Sequence, residues 1–394
     1  MKGIKFGFLS HVDLNLYLFR TPIMSELLKR KHEVYAICPE GDKNEPLKNM
    51  GFKVINYKIS RRSVNPLLET RAIYNIYKAI KGLNLDVLHT FTAKPNIYGT
   101  IAGKMAGIPI IINLVEGLGS FYASDSFKNL LVRNIIETLC KYTFSKSNIT
   151  IFVNQDDAEY MISKNIIHPS KVKVIKGVGI DTNYFSMEHY TQDSLKWIKR
   201  KLGLEENKVV VIMVARALWD KGIEEYYKAA EMLSNRHNNV EFLFVGDVDS
   251  GNPSSVTRDF LQSSGCVKWL GFRNDIRDIT AICDIYVLPS YREGLPRTLL
   301  EAASMGKPIV TTNTTGCREV VEDGKNGFLV PVKDYITLAE KIEILINNRK
   351  LRLEMGGRGR KKAVEEFHVG KVVEKYMEVY GKLIEERLGN DKTL

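Results

Sequence analysis

The chain has 394 residues, 44% of them hydrophobic and 26% charged, an ordinary globular composition too long for one core, so two domains are expected. Five scattered cysteines, Cys38, Cys140, Cys266, Cys283 and Cys317, form no C-x-x-C pair, which argues against zinc and dithiol chemistry and fits a reduced cytosol. The net charge of +11 is uneven: residues 1–185 hold 25 Lys and Arg against 15 Asp and Glu, a net of +10, which leaves +1 for the remainder. No apolar run approaches the roughly 18 residues of a membrane span, and "MKGIKFGFLS" reads as a first strand rather than a leader. Such a basic surface attracts phosphates, nucleic acid or an anionic membrane, although net charge also serves solubility alone.

Short apolar runs alternate with amphipathic ones. Strands are expected at 4–9, 32–38, 85–91, 108–115, 148–154 and 171–176. Helices are expected at 21–30, 66–83, 96–107 and 126–147. A second series starts near Lys208 with the strand "KVVVIMVA", the helix "GIEEYYKAAEMLS" and the strand "VEFLFVG". "VKWLG", "IRDITAI", "DIYVLPS", a helix after Pro296 and "PIVTT" follow. This alternation is the pattern of parallel sheets covered on both faces. The expected architecture is therefore α/β, two doubly wound Rossmann-like domains facing across a cleft. Residues 1–184 form the first domain, 185–370 the second, and 371–394 a last helix that either ends the second domain or crosses back to the first. Ligands of such sheets bind beyond the carboxyl ends of the strands.

In the second half, "DIYVLPSYREGLPRTLLE" places Glu293 just after a strand. Pro296 suits a first helical turn, and the amides near Gly294, Leu295 and Arg297 suit phosphate. Glu301 lies about 7–8 Å along that helix, the span from a diphosphate to a ribose. A surface helix with two solvated acids would show the same pair. "MVARALWDKG" adds Arg216 and Lys221 at another strand end. Two fixed cations there stabilise the charge that grows on a departing diphosphate, though a plain basic loop has the same composition. "WLGFRND" offers backbone groups at Phe272 and Arg273 to a base edge, a weaker signal that a strand-to-turn transition also explains. "GDVDS" resembles a metal-binding D-x-D string, but the diphosphate already has cationic partners, and no metal or other cofactor is expected.

Glu293-x7-Glu301 with Arg216-x4-Lys221-Gly222 upstream resembles the retaining nucleotide-sugar glycosyltransferases of family four, of the GT-B fold. The resemblance implies that Glu293 contacts the transferred sugar, Glu301 the ribose, and Arg216 and Lys221 the diphosphate. Two departures stand out. Pro296 occupies a position that is usually glycine in the family, and the loop after the first strand, "LSHVDLNLYLFR", lacks glycine.

Three strand ends of the first half are candidates for the acceptor. They offer His11, Asn15, Tyr17 and Arg20; His89 and Lys94; and Glu116 with Gly117 in "LVEGLGSFY". Glu116 is also a candidate catalytic group that accepts from or positions an acceptor hydroxyl; capping would explain it equally, and structural roles would explain the histidines. The resemblance extends over most of the chain, including "SRRSVNP", to transferases that build glycans on undecaprenyl diphosphate. It implies transfer of N-acetylgalactosamine from UDP-GalNAc to a polyprenyl-diphosphate-linked diacetylbacillosamine at the cytoplasmic face of the inner membrane. Arg61, Arg62, Lys128, Arg133, Lys141 and Lys146 would then meet an anionic membrane surface. The helix at 126–147, with Phe127, Leu130, Leu131, Ile135, Ile136 and Leu139 among these cations, would lie in the interface or simply face the core. Another UDP-sugar transferase, a UDP-HexNAc 2-epimerase and a non-catalytic sugar-nucleotide sensor are the rival readings. No stacking or base-reading motif points to nucleic acid.

Overall fold

A computed structural model describes residues 3–60, 65–122, 127–389 and 394. It divides into two compact units, one of Met1–Val178 with Val369–Leu394 and the other of Gly179–His368.

The first unit holds β1 (Lys5–Leu9), β2 (Glu33–Cys38), β3 (Lys53–Asn56), β4 (Val87–Phe91), β5 (Ile110–Val115), β6 (Ile149–Phe152) and β7 (Val172–Val174). They pair in parallel in the order β3-β2-β1-β4-β5-β6-β7. The second unit holds β8 (Val209–Val214), β9 (Val240–Val245), β10 (Val267–Trp269), β11 (Ile285–Leu288), β12 (Ile309–Thr312) and β13 (Gly327–Val330). Their order is β10-β9-β8-β11-β12-β13, again all parallel. Central strands such as β5 (IIINLV) and β8 (VVVIMV) are buried at every position. Helices cover both faces of such a sheet, which is why these strands are continuous apolar runs rather than alternating ones. Side-chain caps fix several helix starts: Asn65 accepts from Leu67 N and Asn154 from Asp157 N, and Thr191 forms a reciprocal capping box with Ser194.

Three local expectations need correction. The segment after β1 is not a loop. Asp13–Asn15 is helical and Leu16–Arg20 is a π-helical stretch that runs straight into the Thr21–Lys29 helix. The widened turn carries Arg20 into the interior, where the residue is 0% exposed. The helix expected from residue 96 starts at Ala93 and so includes Lys94. The second unit starts at Gly179, well before the first strand of its sheet. Its opening segment is fixed by Ile180 N donating to Phe367 O (2.8 Å) and by Arg360 Nη1 donating to Thr182 O (2.6 Å) and Phe185 O (3.1 Å).

The Val369–Leu388 helix belongs to the first unit. Its Tyr376 and Tyr380 are fully buried. Tyr380 Oη lies 2.6 Å from His89 Nδ1, its ring packs on Phe6 at 5.4 Å, and Tyr376 Oη reaches Gly177 O at 3.4 Å. Tyr380→Phe strips His89 Nδ1 of its partner inside the core. A loss of about 1–3 kcal/mol is expected, read as a lower urea midpoint with an unchanged slope.

Candidate active site

In the second unit the strand order reverses between β8 and β11, the switch point at which doubly wound sheets bind ligands. Both strands end there in loops that carry candidate residues. Lys221 follows β8 and Glu293 follows β11, and Lys221 Nζ lies 2.6 Å from Glu293 Oε1 with side chains 18% and 13% exposed. Gly222 turns the chain directly after Lys221 with φ +76°, and a Cβ there would stand 2.1 Å from Pro289 O. Tyr291 N donates to Asp220 O (2.9 Å) and Ser290 Oγ donates to the same carbonyl (3.2 Å). The two loops are therefore pinned to each other through backbone that only glycine permits. A third loop supports Glu293 from below. Glu293 N donates to Thr315 O (3.3 Å), and a Cβ on Gly316 (φ +78°) would lie 2.4 Å from Gly294 O.

Arg216 sits on the rim, with a side chain 57% exposed and Nη1 at 2.9 Å from Asp249 Oδ2. Asp247 pairs with Arg258, so both acids of the D-x-D-like string face cations. Pro296 is the N-cap of the Arg297–Ser304 helix rather than its first residue. The helix starts one residue later than expected, and its first turn presents N–H groups that the helix cannot satisfy itself. Leu295 is half-buried behind that start. Glu301 is buried at 9% exposure and pairs with Arg297 Nε at 3.1 Å. Burial outweighs the cation and pushes its carboxyl up to about 7. Phe272 is 71% exposed, whereas the Arg273 guanidinium is held by Asp275 at 2.8 Å.

The first unit builds a second polar group around Glu116, just beyond β5. Arg20 Nη2 binds Glu116 Oε1, and Asn15 Nδ2 donates to Glu116 Oε2 at 3.1 Å. The guanidinium also lies 4.4 Å from the centre of the Phe91 ring. Glu116 itself keeps 27% side-chain exposure. His11 Nδ1 lies 2.7 Å from Thr92 Oγ1, and Thr92 has φ +73°, a strained conformation for a β-branched residue. Gly117 follows Glu116 with φ +139°.

Three acceptor-side expectations change, those for Arg20, His89 and Lys94. Arg20 is wholly buried and acts on Glu116, not on a ligand directly. His89 is a core residue at 0% exposure, and desolvation, with Arg20 nearby, holds its pKa well below the usual histidine range, so it is neutral. Lys94 Nζ is bound by both Glu69 carboxylate oxygens at 2.8 and 3.0 Å. Tyr17 packs its ring 5.2 Å from Lys43 Nζ and takes no part in the hydrogen bonds at Glu116. Arg61, Arg62 and the Lys128 side chain lie outside the described residues. Sequence reading missed Thr92, Asp249 as the partner of Arg216, and the Thr315–Gly316 support. For the last of these, a glycine shortly after the strand "PIVTT" was an available signal.

The Phe127–Lys146 helix has two apolar faces. Cys140 and Phe144 are buried, while Phe127 (85%), Leu131 (56%), Ile135 (55%) and Tyr142 (57%) are exposed, and Lys141 and Lys146 stand exposed beside them. Among the described residues no helix is long and apolar enough to cross a membrane.

Comparison with known proteins follows the same division. The family model "Glycosyl transferases group 1" matches residues 196–362, and "Glycosyl transferase 4-like" matches residues 6–154. The chain is 38% identical over 382 residues to the N,N'-diacetylbacillosaminyl-diphospho-undecaprenol alpha-1,3-N-acetylgalactosaminyltransferase of Campylobacter jejuni, covering 97% of this chain and 99% of that one. It is 28% identical, over 81% of each chain, to the UDP-Gal:alpha-D-GlcNAc-diphosphoundecaprenol alpha-1,3-galactosyltransferase of Escherichia coli. Among solved structures, Anabaena HepE in complex with UDP superposes with a TM-score of 0.76 at 22% identity, over 97% of this chain and 100% of that one. A Rickettsia africae glycosyltransferase superposes at 0.78 and 20%, over 98% and 99%.

Glu301 gives the site a measurable signature. An acid raised from 4.5 to about 7 in the folded state holds its proton there while the unfolded chain loses it. Stability therefore falls as pH rises from about 4.5 to about 7, by on the order of 3 kcal/mol. Glu301→Gln is expected to flatten this part of the stability profile, measured by urea unfolding at successive pH values.

Proposed function

The chain belongs to the group 1, family-four-like glycosyltransferases of the GT-B fold, and from that premise we propose that it moves N-acetylgalactosamine from UDP-GalNAc to a diacetylated amino sugar on undecaprenyl diphosphate. The observation that carries this reading is near-full-length similarity to a transferase of that donor sugar and acceptor, in a chain whose Lys221–Glu293 pair stands at the switch point of the second sheet.

The proposed donor site is on the second unit. Arg216 and Lys221 receive the diphosphate, Arg216 exchanging Asp249 for phosphate oxygens and Lys221 acting as a point charge. Amides from Gly294 and Leu295 through the start of the Arg297–Ser304 helix add to that grip. Glu293, released from Lys221, accepts from the sugar hydroxyls. Glu301 accepts from the ribose, and the Phe272–Arg273 backbone meets the base. On the first unit Glu116, with Gly117 and His11 beside it, receives the acceptor hydroxyl, while Asn15 and Arg20 orient the carboxylate. The bond from the anomeric carbon to the phosphate oxygen breaks with its electron pair on the diphosphate. The acceptor oxygen bonds to the same face of that carbon, and its proton passes to the leaving phosphate oxygen. The two cations stabilise the diphosphate more as its charge grows, so they act on the transition state.

We place the enzyme peripherally at the cytoplasmic face of the inner membrane. The exposed apolar face of the Phe127–Lys146 helix enters the interface, and Lys141 and Lys146 meet anionic headgroups.

Lys221→Ala and Glu293→Ala are each expected to lower transfer at least 100-fold with the melting temperature within a few degrees of wild type. Product mass and linkage are read from a screen of UDP-sugars against undecaprenyl-diphosphate sugars. Preferred use of UDP-galactose would move the reading to the galactosyltransferases, epimerised UDP-HexNAc without acceptor would favour an isomerase, and near-wild-type turnover in either variant would refute the assigned roles. Leu131→Glu with Ile135→Glu is expected to reduce flotation with phosphatidylglycerol-containing vesicles several-fold, and unchanged flotation would remove this helix from the membrane contact.

A further inference from the structure

Beside Glu116 the first unit contains a cavity of about 30 Å³. Its lining has a polar part, the mouth, with Thr92, Asn96, Glu116, Gly117 and Tyr122, and an apolar part that includes Ile136, Cys140, Phe144 and Met161. The mouth is polar and its backbone is set in two unusual conformations, Thr92 at φ +73° and Gly117 at φ +139°. Strain of this kind persists where the surrounding structure enforces it, and it concentrates at ligand sites. The rest of the lining is apolar. Cys140, Phe144 and Met161 are each no more than 5% exposed. Burial raises the Cys140 thiol to about 12, so it serves as a small apolar wall and not as a nucleophile. The volume suits one water or one methyl group, and the lining decides between them. A water needs two to four polar partners, and the polar side chains of the lining already bond elsewhere: Asn96 to Thr90 and to Leu114 O, Tyr122 to Glu137, and Glu116 to Arg20 and Asn15.

The proposed acceptor supplies such a methyl group. Its sugar is joined at carbon 1 to the diphosphate and receives the new sugar at carbon 3. In a six-membered ring closed through the oxygen on carbon 5, two acylated nitrogens must occupy two of carbons 2, 4 and 6. At least one therefore neighbours the receiving hydroxyl. With that hydroxyl at Glu116, an acetamido group lies next to the mouth of the cavity. We propose that this cavity is an acyl-recognition subsite, which takes the methyl of the acetamido group flanking the acceptor hydroxyl and makes the enzyme selective for an N-acetylated acceptor. The proposal rests on the acceptor class assigned above and adds the group by which that class is read.

The size of the cavity makes the inference testable with neutral acceptors that differ by one carbon. The full-length enzyme is assayed with UDP-GalNAc and polyprenyl-diphosphate sugars bearing N-formyl, N-acetyl or N-propionyl groups beside the receiving hydroxyl. One methylene in a fitted apolar pocket changes kcat/KM by roughly 10- to 200-fold. The N-acetyl acceptor is expected to exceed both others by at least about tenfold. Cys140→Ala enlarges the cavity and is expected to shift the propionyl-to-acetyl ratio about tenfold toward propionyl. Cys140→Leu fills it and is expected to bring acetyl down to the level of formyl. If Cys140→Leu fails to fold, the ratio in Cys140→Ala decides alone, since a general loss of activity cancels from a ratio. Efficient transfer with ratios that ignore the acyl group, or that Cys140→Ala leaves unmoved, overturns the subsite while the assigned function stands. UDP-GalNAc hydrolysis with no transfer to any polyprenyl-diphosphate sugar overturns the function, and the subsite with it.

Discussion

Parallel pairing of β8 with both β9 and β11 is the constraint on which the second unit depends. Parallel strands send all their carboxyl ends to one edge, so loops far apart in sequence converge there without any direct connection. Reversal of strand order between β8 and β11 opens a gap at that edge, because the helices after the two strands pass to opposite faces. Lys221 and Glu293 meet across this gap at 2.6 Å although 72 residues separate them. The tight glycines at 222 and 316 are secondary consequences. Three loops crowd one edge, and carbonyl oxygens of Pro289 and Gly294 occupy the space a side chain would need.

Charge at both sheet edges follows one rule. Cations and carboxylates near the carboxyl ends of the strands pair with one another: Lys221 with Glu293, Arg216 with Asp249, Arg297 with Glu301, and Arg20 with Glu116. Their solvation sets how readily each opens. Arg216, more than half exposed, exchanges partners at little cost. Arg20 is fully enclosed, and removing its partner would leave a buried charge, which costs several kcal/mol. The Arg216 pair is thus suited to exchange, the half-buried Lys221–Glu293 pair opens at greater cost, and the pair at the first sheet is suited to hold a carboxylate in one orientation.

The sheets were readable because buried parallel strands are continuous apolar runs, and the alternation with helices survived even where boundaries slipped. That Glu293, Lys221 and Glu116 stand beyond strand ends was readable, because each follows an apolar run within a few residues. What failed had a physical reason in each case. His89 and Arg20 are polar residues whose burial depends on aromatic rings from elsewhere in the chain, Phe91 for Arg20 and Tyr380 for His89, and local sequence carries no sign of that. Lys94 looked available because its partner Glu69 lies on another helix. The π-helical stretch that ends at Arg20 has no compositional marker. Pro296 was placed inside its helix, yet its ψ of 109° leaves it one residue outside.

The last helix, Val369–Leu388, completes the core of the unit that begins the chain. On the ribosome, β1 to β4 emerge early, yet Phe6 and His89 must wait for Tyr380, made almost 300 residues after His89. The second unit is continuous from Gly179 to His368 and can close as soon as it leaves the tunnel. The part of the chain synthesised first is therefore the part that finishes folding last, and through that interval an apolar sheet face is left for chaperones to shield.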